Sequence, residues 1–313
     1  MVPAANRSFY SLQLLIRMID RKKTTWLRTI SQERPLLLPA AHDALSARLI
    51  EQAGFKAYVI GGFPLLAARH ALPDIGLAGF GEMQAGVKDI TAASSLPVLV
   101  DADDGYGVVK NVIRTVQSYE SMGVEALFIE DQLSPKRCGH LDGKEIVPEK
   151  VMTEKLRAAT EAKNNPDTFI MARTDSRAVY GLDDALHRAE AYLNAGADGI
   201  FIEAPQSVKE LEIIGAAFDV PQMANMLENG RTPILSPREL GEIGFAMVAY
   251  PVSLIFRIVQ TMQSALTDLK EEKLNLEGEG VNFDEFKEMI GINTWSKLEE
   301  RFSSKNQPCI SLS

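Results

Sequence analysis

Three acids crowd the stretch VLVDADDGYG, residues 98–107, where Asp101, Asp103 and Asp104 follow an apolar run and precede Gly105 and Gly107. Carboxylates two residues apart at the end of a strand, with a glycine-rich loop beyond, suit a hard divalent cation such as Mg2+, which prefers oxygen ligands and keeps several waters. Glu130, at the end of the next apolar run, is placed to serve such an ion from further out. The loop lacks the later bidentate glutamate of an EF-hand, and a turn-forming acidic loop without metal would read the same way. A second candidate is SPKRCGHLDGK, residues 134–144, which sets Cys138 between Lys136 and Arg137 on one side and Gly139 and His140 on the other. Nearby cations stabilise a thiolate, and a glycine lets a loop close over a substrate, so the thiol suits a nucleophile or a proton donor. His140 is the one close partner for metal ligation, too few for zinc. A basic surface loop with an incidental cysteine is the bland alternative.

The elements that must position these groups follow from periodicity. Short apolar runs, LLLPA, AYVIGG, LPVLVDAD, VEALFIED, TFIMARTD, ADGIFIEA, VPQMANM and FAMVAY, alternate with amphipathic stretches such as DDALHRAEAYLNAG. Glycine closes several helical stretches just before the next strand, as in YLNAGADGIF. Eight such units predict a (β/α)8 barrel, with an open doubly wound sheet as the competing arrangement. Polar residues recur at the C-terminal ends of the runs: Asp101 and Asp103, Glu130 and Asp131, Arg173 and Asp175, Glu203, and Asn225. In a parallel barrel these ends converge on one face, where the active site is built. Any one of the acids alone is as well read as a helix N-cap or a solvated loop residue.

Composition bounds the partners. The chain has 313 residues, 46% hydrophobic and 24% charged, with a formal charge of -9. Surplus acid speaks against nucleic acid as a partner, and no apolar run approaches the ~20 residues of a membrane span. Two cysteines, Cys138 and Cys309, are too few for a disulfide framework or a structural zinc site and fit a reducing compartment such as the cytoplasm. In the first thirty residues, Arg7, Arg17, Arg21, Lys22, Lys23 and Arg28 face a single acid, Asp20, a pattern shared by organelle-targeting presequences and plain docking helices. The expected organisation is an N-terminal extension over 1–20, a barrel over 21–268, and a C-terminal arm over 269–313. That arm is charged and loop-like at first and then helical, and suits a subunit interface.

KRCGH, together with VDADDGYG, FIEDQ, ARTD, FIEAP and ANMLENG in that order, and with HDALSARL and LPDIGL before them, resembles the isocitrate lyase and phosphoenolpyruvate mutase superfamily. The resemblance runs from about Arg21 to Tyr250 and implies a (β/α)8 barrel whose last helix is swapped between paired subunits, in a homotetramer with bound Mg2+, or Mn2+ in its place. It implies that Asp101 binds the metal directly while Asp74, Asp103 and Glu130 hold it through water. By the same resemblance residues 136–140 form a gating loop, with Lys136, Arg137, Gly139 and His140 around the substrate and Cys138 as the acid that protonates a carbanion. The resemblance also implies that Gly61 and Gly62 lie at a substrate-binding turn and that Arg173, Glu203 and Asn225 hold the carboxylates and the developing charge. The implied reaction is cleavage of a 2-hydroxy di- or tricarboxylate to a 2-oxo acid and a small carboxylate; phosphonomutase, oxaloacetate hydrolase and a non-catalytic ligand-binding barrel are the alternatives.

Departures from the superfamily bear on the substrate. Gly61, Gly62 and Phe63 stand where methylisocitrate lyases have Ser-Gly-Gly, Val59 stands where a tyrosine has been proposed as base, and Asp104 replaces a usual Thr. Phe256 falls where methylisocitrate lyases carry an Arg for the third carboxylate, with Arg257 one step later, and Pro251 where the oxaloacetate-hydrolysing branch has serine. These differences favour alkylmalates over tricarboxylates, with Phe256 expected to cover the alkyl group.

Overall fold

The computed structural model describes residues 26–273 and 280–303; the N-terminal extension over 1–20 and Cys309 lie outside the described residues. All eight apolar runs form strands: β1 (Leu36–Pro39), β2 (Tyr58–Ile60), β3 (Val98–Asp101), β4 (Ala126–Glu130), β5 (Phe169–Thr174), β6 (Gly199–Ile202), β7 (Met223–Asn225) and β8 (Met247–Tyr250). Every pairing is parallel, in the orders β1-β8-β7 and β2-β3-β4-β5-β6. Single parallel bridges join the two sets, Ala40 to Val59 and Ile200 to Gln222, so the strands run in cyclic order. The fold is therefore the closed (β/α)8 barrel and not the open sheet.

The helices of the first unit are α1 (Trp26–Gln32), α2 (Ala44–Gln52), α3 (Gly62–His70), α4 (Phe80–Ala93), α5 (Val109–Ser121), α6 (Glu149–Glu161), α7 (Leu182–Asn194), α8 (Val208–Gly215) and α9 (Pro237–Ile243), followed by α10 (Ser253–Lys270). Their starts carry local signals: Asp43 caps α2, Ser207 caps α8, and Ser236 with Glu239 forms a capping box at α9 with Pro237 in its first turn. Gly244, at φ 118°, ends α9 in the left-handed conformation that glycine adopts without penalty.

Two apolar layers result from the period of two along each strand. Leu99, Ala126, Phe128, Phe169, Met171, Phe201, Met223, Met247 and Ala249 fill the barrel interior, joined by Trp26 and Ile30 of α1. Their neighbours Val98, Val100, Leu127, Ile129, Ile170, Ala172, Ile200, Ile202 and Val248 face the helices. Trp26 is fully buried with its ring 6.4 Å from that of Phe169, at the start of β5, so α1 stops the end of the barrel from which the strands set out.

The chain divides into two compact units, residues 1–258 and 259–313, within α10. In the second unit α11 (Phe283–Met289) and α12 (Ile292–Phe302) pack on each other and leave Phe283, Trp295 and Phe302 exposed. No helix among the described residues is long and apolar enough to cross a membrane.

Candidate active site

Continuing the inward parity of each strand to its C-terminal end turns Asp101, Glu130, Arg173, Glu203 and Asn225 towards the barrel axis. There they meet a cavity lined by Gly61, Gly62, Asp74, Asp101, Cys138, Gly139, His140, Arg173, Glu203 and Asn225. Asp103, Glu130 and Lys136 are buried and joined to those residues by ion pairs. Arg137 is exposed and absent from the cavity wall; what the loop fixes there is its backbone, whose N–H donates to Gln132 Oε1 and whose carbonyl accepts from Gln132 Nε2.

The acid cluster centres on Asp101. One of its carboxylate oxygens accepts from the backbone N–H of Gly62 at 3.1 Å and the other from that of Asp103 at 2.9 Å. Gly62 opens α3, and a Cβ there would stand 3.3 Å from Asp101 Oδ2 and 3.4 Å from both Asp103 Oδ1 and Lys136 Nζ. The Lys136 ammonium lies 2.6 Å from Asp74 and 2.5 Å from Asp103. Both carboxylate oxygens of Glu130 are buried without a hydrogen bond, with Arg173 Nη1 3.2 Å away. Burial pushes the Asp103 carboxyl up to about 7, with Lys136 opposing and Asp101 and Asp74 reinforcing the rise. Burial also holds Glu130 well above its ordinary value, against Arg173 and Lys136. A hard divalent cation fits this donor set: the groups are all oxygens, the acids outnumber the cations beside them, and Glu130 has two buried oxygens still to satisfy. No group of three or more His, Cys, Asp or Glu side chains among the described residues is arranged to hold a metal directly. The arrangement is compatible with a Mg2+ that touches one or two carboxylates and reaches the rest through water.

Arg173 is the hub of the opposite wall. Its guanidinium lies over the rings of Phe201 (5.3 Å) and Phe128 (5.9 Å), bonds Asp175 through Nε at 2.9 Å and Nη2 at 3.2 Å, and approaches Glu203 at 3.5 Å. Burial works against its charge, but Asp175, Glu130 and Glu203 outweigh it and hold it protonated. Burial likewise opposes ionisation of Asp175, yet Arg173 and Lys144 keep its carboxyl at about 2. Asp131, of the outward parity, anchors this wall from behind by accepting from Thr174 Oγ1, the Asp175 backbone and Tyr192. Asn225 Nδ2 donates to Glu203 at 3.2 Å. His140 Nδ1 accepts from the backbone N–H of Arg231, which leaves the proton of a neutral ring on Nε2, 3.3 Å from Glu203.

The loop carrying Cys138 has a rigid base. Leu133 N–H donates to the Glu145 carbonyl and Val147 N–H to that of Asp131, so residues 134–144 form an excursion between two paired segments. At its tip Cys138 N–H donates to the Asp74 carbonyl at 3.0 Å and Gly139 packs on Arg173 and Glu203. The environment of the thiol differs from the one its sequence neighbours suggest. Lys136 turns to the carboxylates and Arg137 to solvent, so neither lowers the thiol; burial instead pushes it up to about 11, with Asp74 and Glu203 adding to the rise and the His140 backbone and Arg173 opposing it. A protonated thiol faces the cavity, which suits a proton donor and not a resting nucleophile.

The expected alkyl cover is corrected. Phe256 is 42% exposed on α10 and does not line the cavity, and Arg257 donates to the Ser253 carbonyl and borders a different groove. The apolar wall comes from Val59, Phe63, Pro64, Leu227, Ala249 and Pro251, of which Val59, Phe63 and Pro251 were singled out in the sequence and Leu227 was not. Lys144, which bonds the loop to the Arg173 wall, carried no signal of that role, whereas Asp175, its partner there, stood out in the sequence only as a strand-end acid beside Arg173.

The family model of phosphoenolpyruvate phosphomutase matches residues 27–270. Among curated proteins, 2,3-dimethylmalate lyase of Eubacterium barkeri is 39% identical over 277 residues, 88% of this chain and 96% of that protein. A probable 2-methylisocitrate lyase of Corynebacterium glutamicum is 43% identical over 232 residues, 74% of this chain and 75% of its own. Among solved structures, a trigonal crystal form of 2,3-dimethylmalate lyase superposes with a TM-score of 0.82 at 33% identity, covering 88% of this chain and 93% of that one. A phosphonopyruvate hydrolase in complex with oxalate and Mg2+ superposes with a TM-score of 0.79 at 26% identity, covering 88% and 96%.

Proposed function

The chain belongs to the phosphoenolpyruvate phosphomutase family, and from that footing we propose that it is a Mg2+-dependent carbon–carbon lyase acting on a 2-hydroxy dicarboxylate of the 2,3-dimethylmalate type. The products are a 2-oxo acid such as pyruvate and a small carboxylate. The observation that carries this reading is the protonated thiol of Cys138 facing the same cavity as Asp101 and Arg173.

Asp101, with Asp74, Asp103 and Glu130 behind it, would hold the cation, which when bound polarises the hydroxyl and carboxylate of the substrate. Arg173, kept cationic and fixed by Asp175 between two aromatic faces, pairs with a substrate carboxylate and with the negative charge that grows on it. His140 Nε2 offers a second donor on the same wall. The hydroxyl proton passes to solvent as the carbon–oxygen double bond forms and the carbon–carbon pair moves onto the departing fragment as an enediolate, and the proton later returned to the thiolate restores the count. The Cys138 thiol gives that carbon its proton, and the thiolate is reprotonated before the next turnover. Gly139 and Gly62 let backbone close over both sides and exclude water that would compete for the carbanion.

The substrate class follows from the lining. Arg173 and His140 are the basic side chains on the cavity wall, and the remaining side chains towards β8 are apolar. A third carboxylate would enter without a partner, whereas Phe63, Leu227 and Pro251 can cover a methyl or ethyl group at a gain of roughly 1–3 kcal/mol per group. The decisive assay incubates protein and Mg2+ with 2-alkylmalates, 2-methylisocitrate, oxaloacetate and phosphonopyruvate and identifies products by NMR. Turnover of phosphonopyruvate alone would overturn the lyase reading.

A second copy of the chain is the proposed partner. A groove on the first unit is lined by Leu37, Leu45, Leu49, Ile50, Phe55, Tyr250 and Leu254, together with Asp43, Glu228 and Arg257. Separately, α10 exposes Val259, Met262, Leu266 and Leu269, a stripe of the kind such a groove accepts. Helix exchange in a homotetramer accounts for both, and sedimentation tests it. The free Cys138 thiol fits a cytoplasmic, reducing setting.

A further inference from the structure

We propose that Lys144 is a positioning residue that clasps the Cys138 loop shut against the Arg173 wall. Lys144 stands at the end of the excursion, where the chain rejoins the paired segment through Glu145. Its side chain is nearly inaccessible, at 2% exposure, and its ammonium makes two contacts: it donates to the carbonyl of Gly139 at the tip of its own loop, and it lies 2.8 Å from Asp175 Oδ1. Asp175 in turn grips the guanidinium of Arg173 by two hydrogen bonds. One buried cation thus ties the residue after Cys138 to the carboxylate that orients Arg173.

The geometry makes this tie specific to the closed loop. A Cβ on Gly139 would fall 2.5 Å from both Arg173 Nη2 and Glu203 Cγ, so the tip backbone is seated on that wall with no space between. Were the tip to lift, the Gly139 carbonyl would leave Lys144 and Asp175 would keep it, so the broken bond is the one that holds the acid over the substrate. A buried ammonium is costly unless its donors are satisfied. Closure supplies the second acceptor and is favoured by it. Lys144 touches no cavity surface itself and acts through Gly139 and Asp175.

The kinetic consequence rests on the lyase reading, whereas the exposure of the thiol does not, and the test uses both. In full-length protein carrying Cys309→Ser, Cys138 is the one remaining thiol, and its alkylation by iodoacetamide at fixed pH reports loop opening. With Mg2+ and oxalate as the probe, the parent is expected to be protected, while Lys144→Met is alkylated about tenfold faster or more, the scale of one charged hydrogen bond. Lys144→Gln, which keeps N–H donors but no charge, should fall between, and it stands in if the Met variant does not fold, as judged by circular dichroism. With an accepted substrate, kcat should fall about 10²-fold in Lys144→Met while Mg2+ affinity stays at the parent value. Alkylation of both variants at the parent rate, with the same protection by oxalate, would overturn the clasp. Absence of lyase activity in the parent would overturn the reaction instead and leave the alkylation result to decide the clasp on its own.

Discussion

Lys136 and Asp103 form a buried ion pair, Nζ to Oδ1 2.5 Å, at the point where Asp74 and Asp101 also converge. Lys136 comes from the loop over 134–144 and Asp103 from the loop after β3, so the pair joins the acid cluster to the segment that carries Cys138.

Replacing Lys136 by Met leaves several buried carboxylates without their nearest counter-charge. Breaking a buried pair costs about 3–5 kcal/mol, so Lys136→Met should unfold well below the wild type in EDTA. Mg2+ should restore more of its thermal stability than it adds to the wild type. Thermal unfolding with and without Mg2+ makes the comparison; an equal Mg2+ increment in both proteins would separate Lys136 from the cation site.

Asp101→Asn should abolish Mg2+-dependent turnover, because Asp101 organises the cluster through Gly62 and Asp103 and lines the cavity itself. EDTA should produce the same loss in the wild type. Asp103→Asn should weaken Mg2+ binding by a smaller factor, read by isothermal titration calorimetry. Full activity in chelator would remove the cation from the account.

Gly139→Ala tests how closely the loop must seat. The added methyl would meet Arg173 and Glu203 at 2.5 Å, and displacements of about 1 Å at a reacting group can cost about 10²-fold in rate. The expected result is a kcat lowered on that scale with the barrel still folded by circular dichroism, since the loop base is untouched.

Glu125 supplies a pH dependence of stability away from the site. Burial, with Asp167 adding, raises its carboxyl from 4.5 to about 7 against a backbone hydrogen bond from Trp26, and its Oε2 has no hydrogen bond. Between those values the folded chain keeps a proton that the unfolded chain has lost. This contribution to stability is therefore full below pH 4.5 and is lost as pH rises through about 7. Glu125→Gln should flatten that slope and be the more stable form at pH 8 in denaturant titrations.

The barrel and which side chains converge at the C-terminal ends of its strands were legible because parity is strict in a strand. Once VLVD, ALFIE and FIMART are strands with Leu99, Phe128 and Met171 inside, Asp101, Glu130 and Arg173 must point inward as well. Asp74 lies in no strand, and the motif LPDIGL, not periodicity, drew attention to it. The state of Cys138 was not legible, since adjacency in sequence says nothing of where Lys136 and Arg137 send their side chains. Nor was the role of Lys144, whose contacts with Gly139 and Asp175 exist only after the loop folds back. Phe256 failed for a related reason: on a helix each residue turns about 100° from the last, so a position fixed by counting from β8 does not fix the face it occupies.

Cleavage of 2,3-dimethylmalate by the wild type and by Cys138→Ala, followed by NMR in excess Mg2+ with oxalate affinity measured in parallel, decides whether the Cys138 thiol is the proton donor. The expected result is pyruvate and propionate from the wild type, a rate lower by about 10²- to 10⁴-fold in the variant, and equal oxalate binding in both. Turnover by Cys138→Ala at the wild-type rate would contradict it.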